Sequence, residues 1–510
     1  TEMSSSKLAK SSIVVSVILA VGYLISFLKE SIIANYFGVS ANVDAYTIAI
    51  TIPVVLFSIV TVSIRSVIVP IYSDLLYNKT KELADGFISN VLCCVCVVIL
   101  VLIVVMEIGA GYLTYFFAPG FDMVTHDLST SLLRITLPSI LFTIFNDVLT
   151  GLLNVHKRFV APSCSVFFLN IGLILTIVLL HVRFGIVAAA TGYIIGGFLS
   201  MLYILFISSR VYKFRFMFDF KNELLKRTIK QTIPVVWSTS IAEINAVINR
   251  MIASFLFVGS ISALSYANKI NSIFISFFIT AIATIVYPLY AESSAKKDIQ
   301  QLSYRVNFTL SLYTMFLLPI VIGVLCFRKE IVSVAFARGV FDSSAVAATS
   351  SLLGCYCLGL LFMSFRETLT KVFYSMQDMK TPAKNATIGI LINVVLNITL
   401  PFIFGVEGLA LGTSFTAVFI SIRLLYLLKR NHKQIQLEYF QKNVIGIIAA
   451  TVIMSLIVFV FSWIYEENNN IIRLSIGGFI GATSYLFSIW MFRVPIFKKA
   501  TQIIFDSKKK

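Results

Sequence analysis

Long apolar stretches alternate with short polar segments along the whole chain. Apolar runs of about 20 residues, the length that an α-helix needs to cross the hydrocarbon core, recur from end to end. A membrane β-barrel would instead show short segments of alternating hydrophobicity. The pattern predicts an all-α polytopic membrane protein with 14 transmembrane helices. We place them at 12–35, 43–73, 87–116, 130–154, 160–181, 185–208, 230–257, 261–292, 304–327, 346–375, 383–404, 406–429, 442–464 and 471–493.

Basic residues are concentrated in the loops that follow even-numbered predicted helices. Examples are VHKRF (155–159), SSAKKD (293–298) and LLKRNHKQ (427–434), whereas the loops after odd-numbered helices contain few lysines or arginines. The exception is the loop at 326–342, which contains Arg328, Lys329 and Arg338. Because cytoplasmic loops carry the excess of basic residues, we expect both termini in the cytoplasm.

The composition limits the classes of function. Hydrophobic residues make up 58% of the 510 positions, and 13% are charged, about half the usual share for a soluble protein. The net charge of +17 lies mostly in short loops, so we expect no nucleic-acid partner. Seven cysteines and four histidines form no ligand cluster, so we expect no metal. Neither a nucleotide-binding loop nor a DxD pair is present, and we expect a transporter rather than an enzyme.

The chain contains an internal repeat. At an offset of 220 residues, FNDVLTGLLNVHKRFVAP (145–162) aligns with FRETLTKVFYSMQDMKTP (365–382), and FAPGFD (117–122) pairs with FARGVFD (336–342) at nearly the same offset. We therefore predict two pseudo-symmetric six-helix bundles that rock around a central site in alternating access. The expected segments are a first bundle at 1–210, a cytoplasmic amphipathic linker at 211–229, a second bundle at 230–430, and two extra helices with a basic tail at 431–510.

Charged residues inside the predicted helices usually face a cavity or a partner. Four bases lie on corresponding helices of the two repeats, and their surplus over acids predicts a cavity that binds an anion such as phosphate. Near a helix end, Arg65 has the alternative of extending to the interface. Adjacent Lys29 and Glu30 point about 100° apart and need not pair. The four candidate bases are Lys29, Arg65, Arg250 and Lys269.

Other polar residues inside the helices suggest gating or ion binding. Arg366, Glu367 and Lys371 form either an ion-pair latch that opens during transport or a purely structural cluster. Glu243 lies seven residues before Arg250, on the same helical face, and suits a cavity wall. A third set, which joins Glu243 to Asn393 and Asn397, could bind a monovalent cation, although such asparagines also hydrogen-bond helices to one another.

Four motifs, in the same order, resemble those of the MurJ/MviN flippases of the multidrug/oligosaccharidyl-lipid/polysaccharide exporter superfamily. They are LKESIIANYFGVSANVDAYTIAITIP (28–53), SYANKI (265–270), FARGVFD (336–342) and FYSMQDMKTP (373–382). The resemblance extends from the first to the twelfth predicted helix. It implies translocation of undecaprenyl-pyrophosphate-linked saccharide, typically lipid II, across a bacterial cytoplasmic membrane.

The resemblance also implies roles for individual residues. Lys29 stands where the family has a cavity arginine, Glu30 at its acidic neighbour, and Asp44 at the family's aspartate of the second helix. Asn268 and Lys269 replace an Asp-Arg pair. The two C-terminal helices would supply a groove for the lipid tail. Expected partners are the lipid-linked oligosaccharide, membrane lipids and the cell-wall synthesis machinery, with the protein as a monomer.

The sequence departs from the family pattern at three positions of the first two helices. Tyr23, Phe57 and Val62 replace charged residues there, so the sugar is open: lipid II or another lipid-linked glycan, such as an O-antigen, exopolysaccharide or teichoic-type precursor. A MATE-like antiporter for small molecules or cations is the further alternative. We expect no cofactor, and coupling to a monovalent cation or to the membrane potential.

Overall fold

The structure is a computed structural model that describes residues 5–465, 469–499 and 502. Within these residues it contains helices and no β-strand, which confirms the predicted all-α class. The helices are α1 (Ser5–Phe37), α2 (Ala41–Asn78), α3 (Lys81–Ile108), α4 (Ala110–Phe117), α5 (Met123–Thr136), α6 (Ser139–Val155), α7 (Val160–Phe184), α8 (Val187–Ser208), α9 (Glu223–Ser254), α10 (Ser260–Phe274), α11 (Ala281–Ala295), α12 (Ile299–Phe336), α13 (Ser343–Cys357), α14 (Leu360–Ser375), α15 (Lys380–Thr399), α16 (Pro401–Phe404), α17 (Glu407–Asn431), α18 (Glu438–Ile464) and α19 (Asn470–Met491). A π-helical turn, Ile275–Thr280, joins α10 to α11.

Each predicted transmembrane helix has a helical counterpart. Twelve spans among the described residues are long and apolar enough to cross a membrane, and the bent pair α5–α6 makes a thirteenth. The remaining predicted helix corresponds to α9, which is 32 residues long but is not among those apolar spans. Its last turns contain Glu243, Asn245, Asn249 and Arg250. This polar content indicates a helix that does not face lipid alone.

Helix ends follow local sequence signals. Asn222, Asp298, Asp342 and Asn469 precede helices, and their side chains accept hydrogen bonds from the first free backbone N–H groups. The chain bends by 44° between α5 and α6 at Leu137–Pro138. Proline cannot donate the backbone hydrogen bond that would continue the helix, so the break falls there.

Contacts divide the chain into two compact units. Unit 1 comprises Thr1–Ser262 and Gly339–Phe341, and unit 2 comprises Ala263–Arg338 and Asp342–Lys510. Unit 1 therefore includes α9, which the sequence repeat assigns to the second bundle. The predicted linker at 211–229 consists of a non-helical segment at 212–219 followed by the first turns of α9.

Small residues determine the closest helix packing in unit 1. A Cβ atom added to Gly172 of α7 would lie 2.6 Å from the Cα atom of Gly196 on α8. Helices in lipid gain stability from such close packing because there is little hydrophobic force between them. The glycine pair therefore fixes α7 against α8.

The two C-terminal helices belong to the core of unit 2. Tyr485 of α19 donates a hydrogen bond to the carbonyl of Met315 on α12, at 2.6 Å. Arg473 of α19 forms an ion pair with Glu330 of α12 at 3.4 Å. It also donates a hydrogen bond to the carbonyl of Ser462, in the last turn of α18. These bonds attach α19 to α12 at two points and to the last turn of α18.

Candidate functional site

The candidate cation on α1 is already paired. Lys29 Nζ lies 2.8 Å from Glu30 Oε1, and both side chains are about one-fifth exposed. The helical spacing of these neighbours did not require them to pair. They are nevertheless in direct contact, because both flexible side chains bend toward one another. Burying a charge in a membrane protein is expensive, and this contact lowers the cost for both residues. A ligand anion that binds Lys29 must compete with Glu30.

A second polar contact in unit 1 joins α2 to α9. The hydroxyl of Ser58 donates to Glu243 Oε1 at 2.8 Å. Arg250 lies two turns further along α9 and is half-buried. This spacing places Glu243 and Arg250 on one face of α9, as the sequence predicted. Arg65 lies on α2, but its side chain is outside the described part of the chain.

Two loops in unit 1 make equivalent contacts. Gly120 donates its backbone N–H to Ser254 Oγ at 3.0 Å, and Val340 donates its backbone N–H to the carbonyl of Asn35 at 3.0 Å. A Cβ atom at Gly120 would lie 2.4 Å from the carbonyl oxygen of Ser254, and one at Gly339 would lie 2.2 Å from that of Asn35. Only glycine permits this approach. We call these two contacts the loop seal.

Asp44 completes the same end of unit 1. Its side chain is 3% exposed. Oδ2 accepts the N–H of Gly259 at 2.7 Å, and Oδ1 accepts the N–H of Ser262 at 2.7 Å. These donors belong to the start of α10, where backbone N–H groups lack helical partners and the helix dipole favours an anion. The aspartate of α2 therefore caps a helix more than 200 residues away in the sequence.

In unit 2, Lys269 is half-buried on α10, and its neighbour Asn268 is exposed. The other sequence-predicted charges lie on α14. Glu367 Oε1 and Lys371 Nζ are 3.4 Å apart, and Lys371 lies 5.9 Å from the ring centroid of Tyr287. Arg366 is exposed and forms no ion pair within the described residues. The i,i+4 pair predicted from the sequence is therefore present, with Arg366 outside it.

Asn393 and Asn397 bind one another and a neighbouring helix. The amide of Asn397 donates to Asn393 Oδ1 at 2.8 Å, and the amide of Asn393 donates to Thr416 Oγ1 on α17 at 3.1 Å. Both side chains are buried. This geometry matches the alternative that sequence analysis left open, in which asparagines join helices by hydrogen bonds.

An apolar groove lies between α12 and the C-terminal helices of unit 2. Its volume is about 460 Å³. Phe316, Pro319 and Phe327 line it from α12, and the backbone of Gly477 and Gly478 forms part of the α19 side. The ring of Phe327 packs against Gly477, whereas the space beside Gly478 is open. The hydroxyl of Tyr485, which also lines the groove, is already bonded. The groove can hold an aliphatic chain.

Sequence reasoning missed the partners of Asp44 and the role of the loop glycines. Their signal was present, because Gly120 and Gly339 stand in the repeated motifs FAPGFD and FARGVFD. The occurrence of the motif in both repeats singled out these two loops, but it did not indicate which helix each loop contacts. That information requires the tertiary structure.

Comparison with known proteins identifies close relatives across most of the chain. A family model described as "Lipid II flippase MurJ" matches residues 33–476. The probable lipid II flippase MurJ of Vibrio cholerae serotype O1 is 28% identical over 442 residues, with 83% of each chain covered. A solved structure titled "Lipid II flippase MurJ, inward closed conformation" has a TM-score of 0.81 and 26% identity, covering 94% of this chain and 98% of that one.

A more distant similarity extends to drug transporters. An inward-facing multidrug resistance MATE family transporter of the MOP superfamily has a TM-score of 0.67 and 17% identity, with 83% of this chain and 98% of that chain covered. This similarity shows a shared fold and nothing about substrate. The match of the family model over residues 33–476, by contrast, covers most of the sequence. The chain belongs to the MurJ family of lipid II flippases.

Proposed function

We propose that this protein flips lipid II, an undecaprenyl-pyrophosphate-linked saccharide, from the cytoplasmic to the outer leaflet of a bacterial cytoplasmic membrane. The observation that carries the proposal is the family match across residues 33–476. The partly buried cations Lys29 and Arg250 of unit 1 are consistent with it, since they suit a pyrophosphate. The protein acts as a transporter and has no catalytic step of its own.

In unit 1, the pyrophosphate is held by cationic side chains. Lys29 and Arg250 are each partly buried, so their charges are only incompletely screened by solvent. Lys269, also partly buried, is the candidate on α10 of unit 2. Arginine binds two phosphate oxygens in a fixed geometry, and lysine acts as a point charge. When the headgroup arrives, Lys29 exchanges its contact with Glu30 for one with phosphate. Arg65 is the fourth candidate on the basis of sequence alone.

The loop seal and Asp44 close the outer side of unit 1. The charge pattern of the loops assigns this end of the helices to the outside. Because the contacts are single hydrogen bonds from backbone N–H groups to a few acceptors, they can break and reform without unfolding a helix. Opening the seal releases the headgroup outward, and closing it returns the carrier to its starting state. The α14 pair Glu367–Lys371 is a candidate for a second contact that changes during this cycle.

The prenyl tail remains in an apolar environment throughout. The groove beside α12 offers about 460 Å³ of apolar volume, within the range of small-molecule sites. A membrane potential, negative inside, favours inward movement of an empty cationic cavity by about 2.3 kcal/mol per charge per 100 mV. We therefore propose potential-driven return. A monovalent cation at Glu243 is the alternative mode of coupling.

The direct test is flipping by purified protein in vesicles. Fluorescent lipid II is placed in one leaflet, and its appearance in the other is measured with a membrane-impermeant quencher. We expect transport that Arg250→Gln slows at least tenfold. Arg183→Gln removes an exposed arginine of the same unit and should leave the rate within twofold. Equal loss in both variants would contradict a specific phosphate contact.

Substrate identity is tested in the same vesicles. An undecaprenyl-pyrophosphate glycan without the lipid II peptide and a small cationic dye replace the fluorescent lipid II. Preference for the glycan would retain the mechanism and change the sugar. Movement of the dye without movement of either lipid would overturn the proposal in favour of a MATE-like antiporter.

A further inference from the structure

A short aromatic segment connects α8 to α9, and the transport mechanism makes no use of it. It reads YKFRFMFDFK, and we call residues Tyr212–Lys221 the aromatic strap. Residues 212–219 form neither helix nor strand. The exposed fractions of its phenylalanines are unusually high for apolar side chains: Phe214 56%, Phe216 83%, Phe218 49% and Phe220 46%. Aromatic side chains this exposed mark an interaction surface.

Both ends of the strap are hydrogen-bonded to α3. At its start, the N–H of Lys213 donates to Asp85 Oδ2 at 3.3 Å, and the N–H of Arg215 donates to Ser89 Oγ at 3.1 Å. Toward its end, Asn90 bonds Asp219 twice: Nδ2 donates to the Asp219 carbonyl at 2.9 Å, and Oδ1 accepts the Asp219 N–H at 2.7 Å. The strap is therefore an ordered element.

These bonds involve three buried polar residues near the start of α3. Asp85, Ser89 and Asn90 are at most 5% exposed, and the apolar stretch of the helix follows them at 91–108. Buried polar groups in a membrane helix are costly unless they are bonded. Their side chains bond backbone groups of the strap that have no partner in a helix or strand, although Oδ1 of Asp85 has no hydrogen-bond partner among the described residues.

The anchoring forces the middle of the strap outward. Ser89 and Asn90 are consecutive, whereas three residues separate Arg215 from Asp219, so the chain between them must arch. Met217 points back, with its Sδ atom 3.4 Å from where a Cβ atom of Gly86 would be. The side chains on either side of it, Phe216 and Phe218, are more exposed than Met217, at 83% and 49% against 38%.

The length of α3 leads us to place the arch near the depth of the membrane interface. Helix α3 has 28 residues, so it is about 42 Å long, some 12 Å more than the hydrocarbon core. The anchors occupy the fifth to tenth residues of α3, about 6–14 Å from its start. Three residues separate the strap from the end of α8, and one separates it from the start of α9. Phenylalanines beside lysines and arginines are typical of segments that lie in the membrane interface.

The charge around the strap is strongly positive. Residues 210–230 contain seven lysines and arginines against two acids. Within the strap, Lys213, Arg215 and Lys221 are all exposed, and Arg215 forms a long, exposed ion pair with Glu82 at 4.0 Å. Clusters of basic residues beside a membrane helix attract anionic lipids. A protein partner would have to enter the headgroup layer to reach the same surface.

We propose that the aromatic strap binds anionic phospholipids. Phe216 and Phe218 insert at the boundary between headgroups and acyl chains, and Lys213, Arg215 and Lys221 contact lipid phosphates. The strap thereby holds the connection between α8 and α9 at the membrane surface. The ligand is a bilayer lipid of the leaflet next to these helix ends, independent of the transported substrate.

The test uses full-length protein with the reporter substitution Phe216→Trp in nanodiscs. The parent protein has three tryptophans, so the difference between reporter and parent isolates position 216. Brominated lipids quench tryptophan on contact. We expect brominated phosphatidylglycerol to quench the reporter at least twice as strongly as the same fraction of brominated phosphatidylcholine. Raising the salt to 0.5 M should reduce this preference, because exposed charges are screened.

A matched pair of variants locates the effect. In the reporter background, Lys213→Gln, Arg215→Gln and Lys221→Gln together should abolish the preference for phosphatidylglycerol. Lys384→Gln, Lys429→Gln and Lys433→Gln remove the same charge from exposed positions elsewhere and should preserve it. Equal quenching by both lipids, unchanged by salt, would overturn the anionic preference. No quenching beyond the parent would overturn membrane contact and leave the aromatic surface for a protein or a second copy.

Discussion

The loops that contain Gly120 and Gly339 occupy equivalent places in the two repeats, and each contacts the end of the other repeat's first helix. Gly120 approaches Ser254, and Gly339 approaches Asn35, so the offset of 219 relates both partners of one contact to both partners of the other. The Asp44 contact is different. The residue 220 positions after Asp44 is Leu264, a buried apolar side chain that cannot accept a hydrogen bond.

This difference separates what duplication provides from what later divergence added. The glycine contacts require only the absence of a side chain, so both copies of the motif retain them. The Asp44 contact uses a carboxylate that occurs in only one copy of the repeat. It adds two hydrogen bonds to the loop seal, which would otherwise consist of two equivalent contacts. The following changes are ordered by the size of their expected effect.

Removing the carboxylate of Asp44 should have the largest effect. Asp44→Ala leaves the N–H groups of Gly259 and Ser262 without an acceptor in a buried place, at about 2 kcal/mol each. The backbone amides of 259–262 should then exchange hydrogen up to roughly a thousandfold faster, measured by mass spectrometry. Asp74→Asn, which removes an exposed carboxylate from the same helix, is the control. Unchanged exchange in Asp44→Ala would show that the cap does not stabilise the seal.

Substitution of the loop glycine should have the next largest effect. Gly339 has φ +57°, and an alanine Cβ would collide with the carbonyl of Asn35, so Gly339→Ala should destabilise the protein by about 3 kcal/mol. Gly405 has φ +60°, and its Cβ position would meet only the side-chain Oε2 of Glu407, at an ordinary contact distance of 3.8 Å, so Gly405→Ala should cost about 1 kcal/mol. Thermal unfolding in detergent measures both. Equal losses would assign the effect to backbone conformation alone.

The two lysine–glutamate pairs can be distinguished by transport kinetics. Lys29→Met removes a proposed phosphate contact, so we expect about tenfold more lipid II to be needed for half-maximal flipping, equivalent to about 1.4 kcal/mol. Lys371→Met breaks the contact with Glu367 on α14. If that pair is a latch, the maximal rate changes and the half-maximal concentration does not. An effect of Lys371→Met on concentration alone would make Lys371 a substrate contact instead.

The smallest effect concerns the helix that follows Gly339. Asp342 caps α13, and hydrogen bonds from the backbone N–H of Ala345 and the hydroxyl of Ser344 lower the pKa of its carboxyl group below 3.8. A lowered folded-state pKa stabilises the fold above pH 3.8, and this contribution disappears as the pH falls through the folded-state value.

Two variants of Asp342 separate charge from capping. Asparagine also caps helices, so Asp342→Asn should approach the melting temperature of the parent as the pH falls from 6 to 3. Asp342→Ala should melt lower than Asp342→Asn over the same range. A constant difference between parent and Asp342→Asn at every pH would show that the ionised form contributes nothing.

The sequence by itself determined the all-α class, the position of nearly every membrane helix and the internal repeat. The physical reason is that lipid requires about 20 apolar residues with all backbone hydrogen bonds made locally, so the constraint is written in consecutive positions. The sequence also identified Lys29, Arg250 and Lys269 as unusual, because charges inside such runs are costly.

Only the tertiary structure decided which groups meet. Asp44 and Ser262 are 218 positions apart, and no local pattern indicates that a carboxylate on α2 caps α10. In the same way, Asp85, Ser89 and Asn90 look like isolated polar residues until the strap is folded against them. Hydrogen bonds and ion pairs act over about 3 Å, and distances of that kind between remote residues exist only after the helices have packed.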